Sequence, residues 1–223
     1  MLGIIGGTAL LQAELPPLER KIIATPFGSA EVYLGKIAVI KRHQFNTPPA
    51  QINHRANIAA LKIAGVDRMI SIGSTGSMKE ELPPGSLVVA SGYFSPWNIQ
   101  TFHEHDIFHV PPSVDEELSA GLMELAPDAK RGVYFQALGP RFETASEIAH
   151  FAEHTDVVGM TAASELTLAN ELGIRCAALC TVDNYANGIG GEGAPDYEEI
   201  IKIARQNGDK VTSLIKGIVE KFA

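Results

Sequence analysis

The chain is poor in cysteine, in basic residues and in long apolar runs, and each shortage removes a class of protein. Only two cysteines occur among 223 residues, Cys176 and Cys180 in the run IRCAALCTV. Even spacing on a strand places both on one face, which does not favour a disulfide and fits buried thiols in a reducing compartment. No charge-free apolar run reaches about 18 residues, and the opening MLGIIGGTALLQAE has neither a basic start nor a cleavage pattern. A cytoplasmic location and no membrane partner are therefore expected. Lys and Arg number 18 against 26 Asp and Glu, for a net charge of −8, and no Lys/Arg-rich stretch occurs. A nucleic acid partner is not expected, because that affinity comes from neutralising many phosphates. A small anion needs only a local cationic pocket.

Three ligand motifs are also missing. The glycines after Ile5 are too few for G-x-G-x-x-G, no G-x-x-x-x-G-K-[ST] occurs, and Gly73 to Ser77 is not G-x-S-x-G. Dinucleotide, ATP and ester-hydrolase readings lose their support. Repeats, low-complexity segments and linkers are absent too, while 45% hydrophobic and 20% charged residues describe an ordinary globular chain. One domain over residues 1–223 is expected.

What is present is an alternation of strands and helices. An apolar strand from Leu2 to Ile5 breaks at Gly6 and Gly7, and residues 19 to 41 alternate like antiparallel strands or hairpins. Ile52, Ala56, Ala59, Ala60 and Ile63 have helical spacing, closed by Gly65. The strand VDRMISIG then enters a small-residue loop, Gly73 to Ser77, and GSLVVASGY follows. Ser113 and Glu116 have capping-box spacing before a second helix. Strand GVYFQAL, a helix opening at Thr144 with Glu147 three later, strand DVVGM, helix SELTLANEL and strand IRCAALCTV complete the alternation. After a glycine-rich loop, Asp196 and Glu199 are placed to cap one long final helix. Such an order implies an α/β fold, with a largely parallel sheet covered on both faces.

Ligands of open α/β sheets bind in loops that follow strands. Four such loops carry anion-binding groups: Gly6-Gly7-Thr8, Arg42-His43 as a cation and a second donor, Ser74-Thr75, and Met160-Thr161. Together they describe a phosphate pocket. Singly, each is also an ordinary turn or surface pair. His103-Glu104-His105-Asp106 with His109 has the H-x-H spacing of a metal site, but a polar loop over a ligand is an equal account, and no metal is expected. Glu143 beside Phe142, and Asn184 at the end of a strand, suit an aromatic heterocycle. A helix N-terminal charge and a turn former are the plain alternatives for the two.

These pieces resemble one family over nearly the whole chain. IGGT at 5 to 8, RH at 42 to 43 followed by INHRANIAALK, STGS with KEELPPGSLVV, GPRFET at 139 to 144, VVGMTAASELTLANELGI and CTVDN are similar, in order, to the trimeric purine nucleoside phosphorylases and methylthioadenosine phosphorylases. The resemblance implies a single-domain α/β fold with a mixed sheet and helices on both faces. It implies reversible phosphorolysis of a purine nucleoside to free base and sugar 1-phosphate. Phosphate is then the co-substrate, with no metal or organic cofactor.

Carried over, Thr8, Arg42, His43, Ser74 and Thr161 become phosphate ligands, Met160 packs on the sugar and Phe142 on the base. Glu143 and Asn184 hold the purine, and with His43 they carry the catalytic roles. A 6-oxopurine offers an N1–H donor that suits the Glu143 carboxylate, whereas adenine offers an acceptor there. The adenine branch typically has a small residue for this Glu and an Asp for Asn184, so inosine and guanosine are expected. His109 resembles the methylthio branch, where this position reaches the adjacent subunit. Tyr197 stands where the nucleoside branch commonly has His. A 5′-methylthioinosine or methylthioadenosine phosphorylase is thus the alternative, ahead of a nucleosidase or a noncatalytic nucleotide-binding protein. A homotrimer, or a hexamer of paired trimers, is implied.

Overall fold

The computed structural model describes residues 1–7, 10, 14–97, 99–191, 197–206 and 208–223. In chain order the elements are β1 (Leu2–Gly6), β2 (Glu19–Thr25), β3 (Gly28–Leu34), β4 (Ala38–Lys41), α1 (His54–Ile63), β5 (Arg68–Ser77), β6 (Leu87–Phe94), α2 (Glu116–Leu125), β7 (Lys130–Gln136), α3 (Ala145–Phe151), β8 (Val157–Gly159), α4 (Ala162–Glu171), β9 (Arg175–Tyr185), α5 (Tyr197–Gln206) and α6 (Gly208–Phe222). The strands form one sheet ordered β2-β3-β4-β1-β5-β8-β7-β6-β9, in which β9 also pairs with β5. That last pairing closes β5, β8, β7, β6 and β9 into a ring, with β1 to β4 as a wing.

The sheet is mixed. The pairs β1–β4, β1–β5, β5–β9, β6–β7 and β7–β8 run parallel, whereas β2–β3, β3–β4, β5–β8 and β6–β9 run antiparallel. Period-two alternation of apolar residues explains why helices lie on both faces. Ile5, Ile40, Met69, Cys176, Ala178 and Cys180 join the core beneath α1 and α4. Their neighbours Ile4, Val39, Ile70, Ala177 and Leu179 join the opposite core beneath α2 and α6. Both cysteines thus share a face as unpaired thiols, and burial pushes each thiol pKa up to about 12.

Two local expectations are corrected. Residues Gly73 to Ser77 are not a loop: β5 continues through them, paired with β9, and absorbs the small residues with a bulge between Thr75 and Gly76. Helix α2 starts at Glu116 and is capped by Asp115, whose carboxylate accepts from Leu118 N at 2.9 Å, while the Ser113 hydroxyl donates to Asn170 Oδ1 at 2.7 Å. The expected C-terminal helix is described as α5 and α6 on either side of residue 207, which lies outside the described residues. Asp196 lies outside the described residues. The capping box at α3 forms, with Thr144 Oγ1 accepting from Glu147 N and the Glu147 carboxylate accepting from Thr144 N.

Candidate active site

A cavity of about 150 Å³ opens where β4, β5, β8 and β9 end. Arg42 and His43 follow β4, Ser74, Thr75 and Gly76 belong to β5, Met160 and Thr161 lead from β8 into α4, and Asn184 lies near the end of β9. Phe142 and Glu143 come from the segment before α3, and Tyr197 and Ile200 from α5. The structure therefore brings Arg42, His43, Ser74, Phe142, Glu143, Met160, Thr161, Asn184 and Tyr197 into one cleft. Thr8 lies outside the described residues. His109 is exposed and does not line this cavity.

Arg42 is not the free cation expected from its place in the sequence. Its guanidinium is buried and paired with fully buried Glu165 of α4, with Nε and Nη2 donating to the two carboxylate oxygens at 2.7 and 2.9 Å. Nη2 also faces Ser71 Oγ at 3.2 Å and Ile5 O at 3.3 Å, and Nη1 donates to Ile72 O at 2.9 Å. The Ser71 hydroxyl donates to Glu165 at 2.6 Å. Of the five guanidinium N–H groups, one on Nη1 has no partner among the described residues. A fork held at both ends is pre-organised, and only that remaining donor is left for a ligand.

His43 uses Nδ1 against Thr47 O at 2.9 Å, and burial, the largest influence, pushes its pKa below the ordinary value. Its Nε2 would lie 2.8 Å from a Cβ on Gly7, and Arg42 Nη1 3.2 Å from the same point. Glycine at position 7 thus keeps open the space on which the two nitrogens converge. Thr161 precedes α4 yet makes no side-chain cap. Tyr134 of β7 does that work, its phenol oxygen accepting from Thr161 N at 3.0 Å and Ala162 N at 3.2 Å, while Gln136 holds Ser164 at both its amide atoms. The Thr161 hydroxyl is left for the cavity.

At the other end stands Glu143, whose pKa is raised, chiefly by burial and further by Glu147. Glu147 itself is committed to Arg141. No side chain bonds the Glu143 carboxylate among the described residues. The Asn184 amide donates one N–H of Nδ2 to Tyr185 O at 2.6 Å, which leaves its second N–H as a donor and Oδ1 as an acceptor. One cleft therefore joins hydroxyl and N–H donors at one end to a carboxylate and an amide beside an aromatic ring at the other.

Residues 1–220 match the model of the phosphorylase superfamily. The chain belongs to this superfamily. A probable 6-oxopurine nucleoside phosphorylase of Archaeoglobus fulgidus is 41% identical over 99% of this chain and 96% of its own length. A probable S-methyl-5′-thioinosine phosphorylase of Methanocaldococcus jannaschii is 35% identical over 98% of this chain and 92% of its own. At the same 35%, an S-methyl-5′-thioadenosine phosphorylase of Pyrococcus horikoshii matches 99% and 92%. Among solved structures, the methylthioadenosine phosphorylase of Schistosoma mansoni in complex with adenine shares the fold, with a TM-score of 0.90 over 98% of this chain and 90% of that one, at 24% identity.

Within this phosphorylase, the residues that sequence reasoning missed are those that hold the cleft from behind: Ser71, Tyr134, Gln136 and Glu165. A lone carboxylate in the stretch MTAASELTLA was the one available signal, for Glu165. His54 belongs to the same buried group, 3.9 Å from Glu165 Oε1, and its Nδ1 has no partner among the described residues. Burial lowers its pKa from 6.5 to about 4. The folded chain refuses a proton that the unfolded chain accepts, so stability is intact above pH 6.5 and falls as the pH drops from there towards about 4. The expected loss is on the order of 3 kcal/mol. His54→Asn should flatten that acid dependence, read as urea midpoints near neutrality and near pH 5. An equally steep fall in the variant would remove His54 from the explanation.

The histidine-rich segment holds no metal cluster: among the described residues no three His, Cys, Asp or Glu side chains are placed to share an ion. His103 Nδ1 meets Asp106 at 2.9 Å, and Glu104 pairs with Arg55 at 2.6 Å. A cavity of about 730 Å³ between α2, α6 and the turn before β6 is lined mainly by apolar groups such as Leu87, Leu125 and Leu214, and its Lys210 is bonded to Gly85 O. It offers no comparable set of reactive groups.

Proposed function

We propose that the chain catalyses phosphorolysis of 6-oxopurine nucleosides, inosine and guanosine, to free purine and ribose 1-phosphate. The observation that supports it is a single cleft with Arg42, His43, Ser74 and Thr161 at one end and Phe142, Glu143 and Asn184 at the other. Phosphate, the co-substrate, attacks the anomeric carbon as the bond to purine N9 breaks. Positive character grows on the sugar, beside Met160, and negative charge grows on the leaving base. Glu143 accepts from N1–H and orients the base, and an Asn184 N–H can donate to N7, an interaction that strengthens as negative charge grows on the departing base. The chemistry is positioning and electrostatics, with neither metal nor organic cofactor.

Pro49, Ile200 and Tyr197 favour a second reading for the sugar. They give the cleft an apolar border that suits a 5′-methylthio group, and 5′-methylthioinosine is then the substrate. We also propose a cytoplasmic assembly of at least three copies, in which a neighbour's His105 to His109 stretch completes the sugar pocket. Phe94, Trp97, Ile107, Phe108 and Leu138 are exposed apolar groups that such an assembly would cover.

The test is turnover of inosine, guanosine, adenosine, methylthioinosine and methylthioadenosine, each with and without phosphate, on protein whose mass is followed by light scattering. Base release from a 6-oxopurine nucleoside that needs phosphate is expected. Equal release without phosphate would make the protein a nucleosidase, and a fully active monomer would contradict the assembly.

A further inference from the structure

The oxyanion end of the cleft contains an acceptor as well as donors. A carbonyl oxygen only accepts, so the 2.9 Å contact between His43 Nδ1 and Thr47 O places a proton on Nδ1. Burial, the largest influence, and the neighbouring Arg42 disfavour a second proton on the ring, against the hydrogen bond to Thr47 O and the charge of Glu165, and the net shift is downward. His54, the other titratable group nearby, is itself held neutral. Nε2 therefore carries a lone pair, and it faces the space over Gly7 on which Arg42 Nη1 also converges.

Nor does Arg42 bring an unmatched positive charge to overcome that lone pair, since it is paired with Glu165. A fully deprotonated tetrahedral anion meets repulsion at Nε2. One bearing a hydroxyl can donate to it. At neutral pH sulfate has no O–H, whereas phosphate and arsenate keep at least one.

We infer that His43 is a specificity-determining acceptor, which takes a hydrogen bond from the hydroxyl of a protonated oxyanion and so makes the cleft select hydrogen phosphate or arsenate over sulfate. The inference rests on reading this end of the cleft as the phosphate site. Discrimination of this kind comes from a mismatched partner, and a lone pair set against an anion is costlier than a contact merely lost.

Phosphate and arsenate saturation, and inhibition by sulfate competing with phosphate, measure it in the intact enzyme at neutral pH with saturating nucleoside. Phosphate and arsenate should support turnover at similar concentrations, and the sulfate inhibition constant should exceed the phosphate KM by about a hundredfold or more. In His43→Gln the amide can turn an N–H toward either anion, and the ratio should narrow to about tenfold or less. A purely structural role for His43 would alter activity and leave that ratio unchanged, which would overturn the assignment. If turnover needs phosphate but wild-type sulfate inhibits within about tenfold of the phosphate KM, the inference fails and the phosphorylase reading stands. Base release indifferent to phosphate would remove both. Should His43→Gln fail to fold, the wild-type ratio alone decides.

Discussion

Glu165→Gln is expected to cost the folded protein about 3–5 kcal/mol, which for a chain of this size is a fall in Tm of about 6–20 °C. The glutamine fits the same space, so the loss is electrostatic. Arg42, 2% exposed at its side chain, would keep its charge in the core without a counter-charge, and the new amide would turn a donor toward guanidinium N–H groups or toward the Ser71 hydroxyl. Removing both charges should be far milder. Arg42→Met with Glu165→Met leaves no orphaned ion and is expected to recover most of the stability while losing the donor that faces Gly7. Stability and activity then separate: the single variant is unstable, and the double variant is folded with a strongly raised phosphate KM. Thermal unfolding and phosphate saturation of the three proteins are the measurements. A Glu165→Gln protein that melts with the wild type would show that the pair is not buried as described.

That pair also marks the boundary of what the amino-acid sequence can disclose. Glu165 and Arg42 are 123 positions apart, and no local spacing relates them. Reading along the chain finds Arg42 because a strand ends beside it. It cannot find the partner that neutralises it, nor Tyr134, which caps α4 from another strand. The two cores were legible because alternation within strands such as Met69 to Ile72 is a local property. The Thr144 capping box was legible for the same reason. At Gly73 to Ser77 local chemistry misled, since serine, threonine and glycine are turn formers by propensity, yet β9 supplies a parallel partner along the whole segment. Ser113 gives way to Asp115, which stands directly before the helix and accepts from Leu118 N. Nine of the eleven residues expected at the site line one cleft: six lie at strand ends, which are recognisable locally and which the topology carries together, whereas Phe142 and Glu143 come from the segment before α3 and Tyr197 from α5. His109 belongs to no strand end.

Asn184→Asp is expected to lower turnover of inosine and guanosine by roughly a hundredfold and to raise the relative rate on adenosine. Asn184 lies near the end of β9, with one amide N–H bonded to Tyr185 O, so that its other N–H and Oδ1 are left for a ligand. An aspartate there accepts from a 6-amino group but repels the O6 of a 6-oxopurine, and it adds negative charge to the cleft that already holds Glu143. Burial raises the Glu143 pKa, and a second carboxylate in the same cleft pushes it further in that direction, toward a neutral carboxyl that can donate to the N1 of adenine. Both changes favour the 6-aminopurine. Because donation to N7 grows as the base acquires negative charge, the loss on inosine should fall on kcat more than on KM. The measurement is kcat and KM for inosine, guanosine and adenosine with both proteins. If the unaltered protein already cleaves adenosine or methylthioadenosine faster than every 6-oxopurine nucleoside, the roles given to Glu143 and Asn184 are wrong and the adenine branch is the right one. If the variant loses inosine and adenosine turnover equally, Asn184 acts on the leaving group without reading the 6-position, and Glu143 alone sets the base preference.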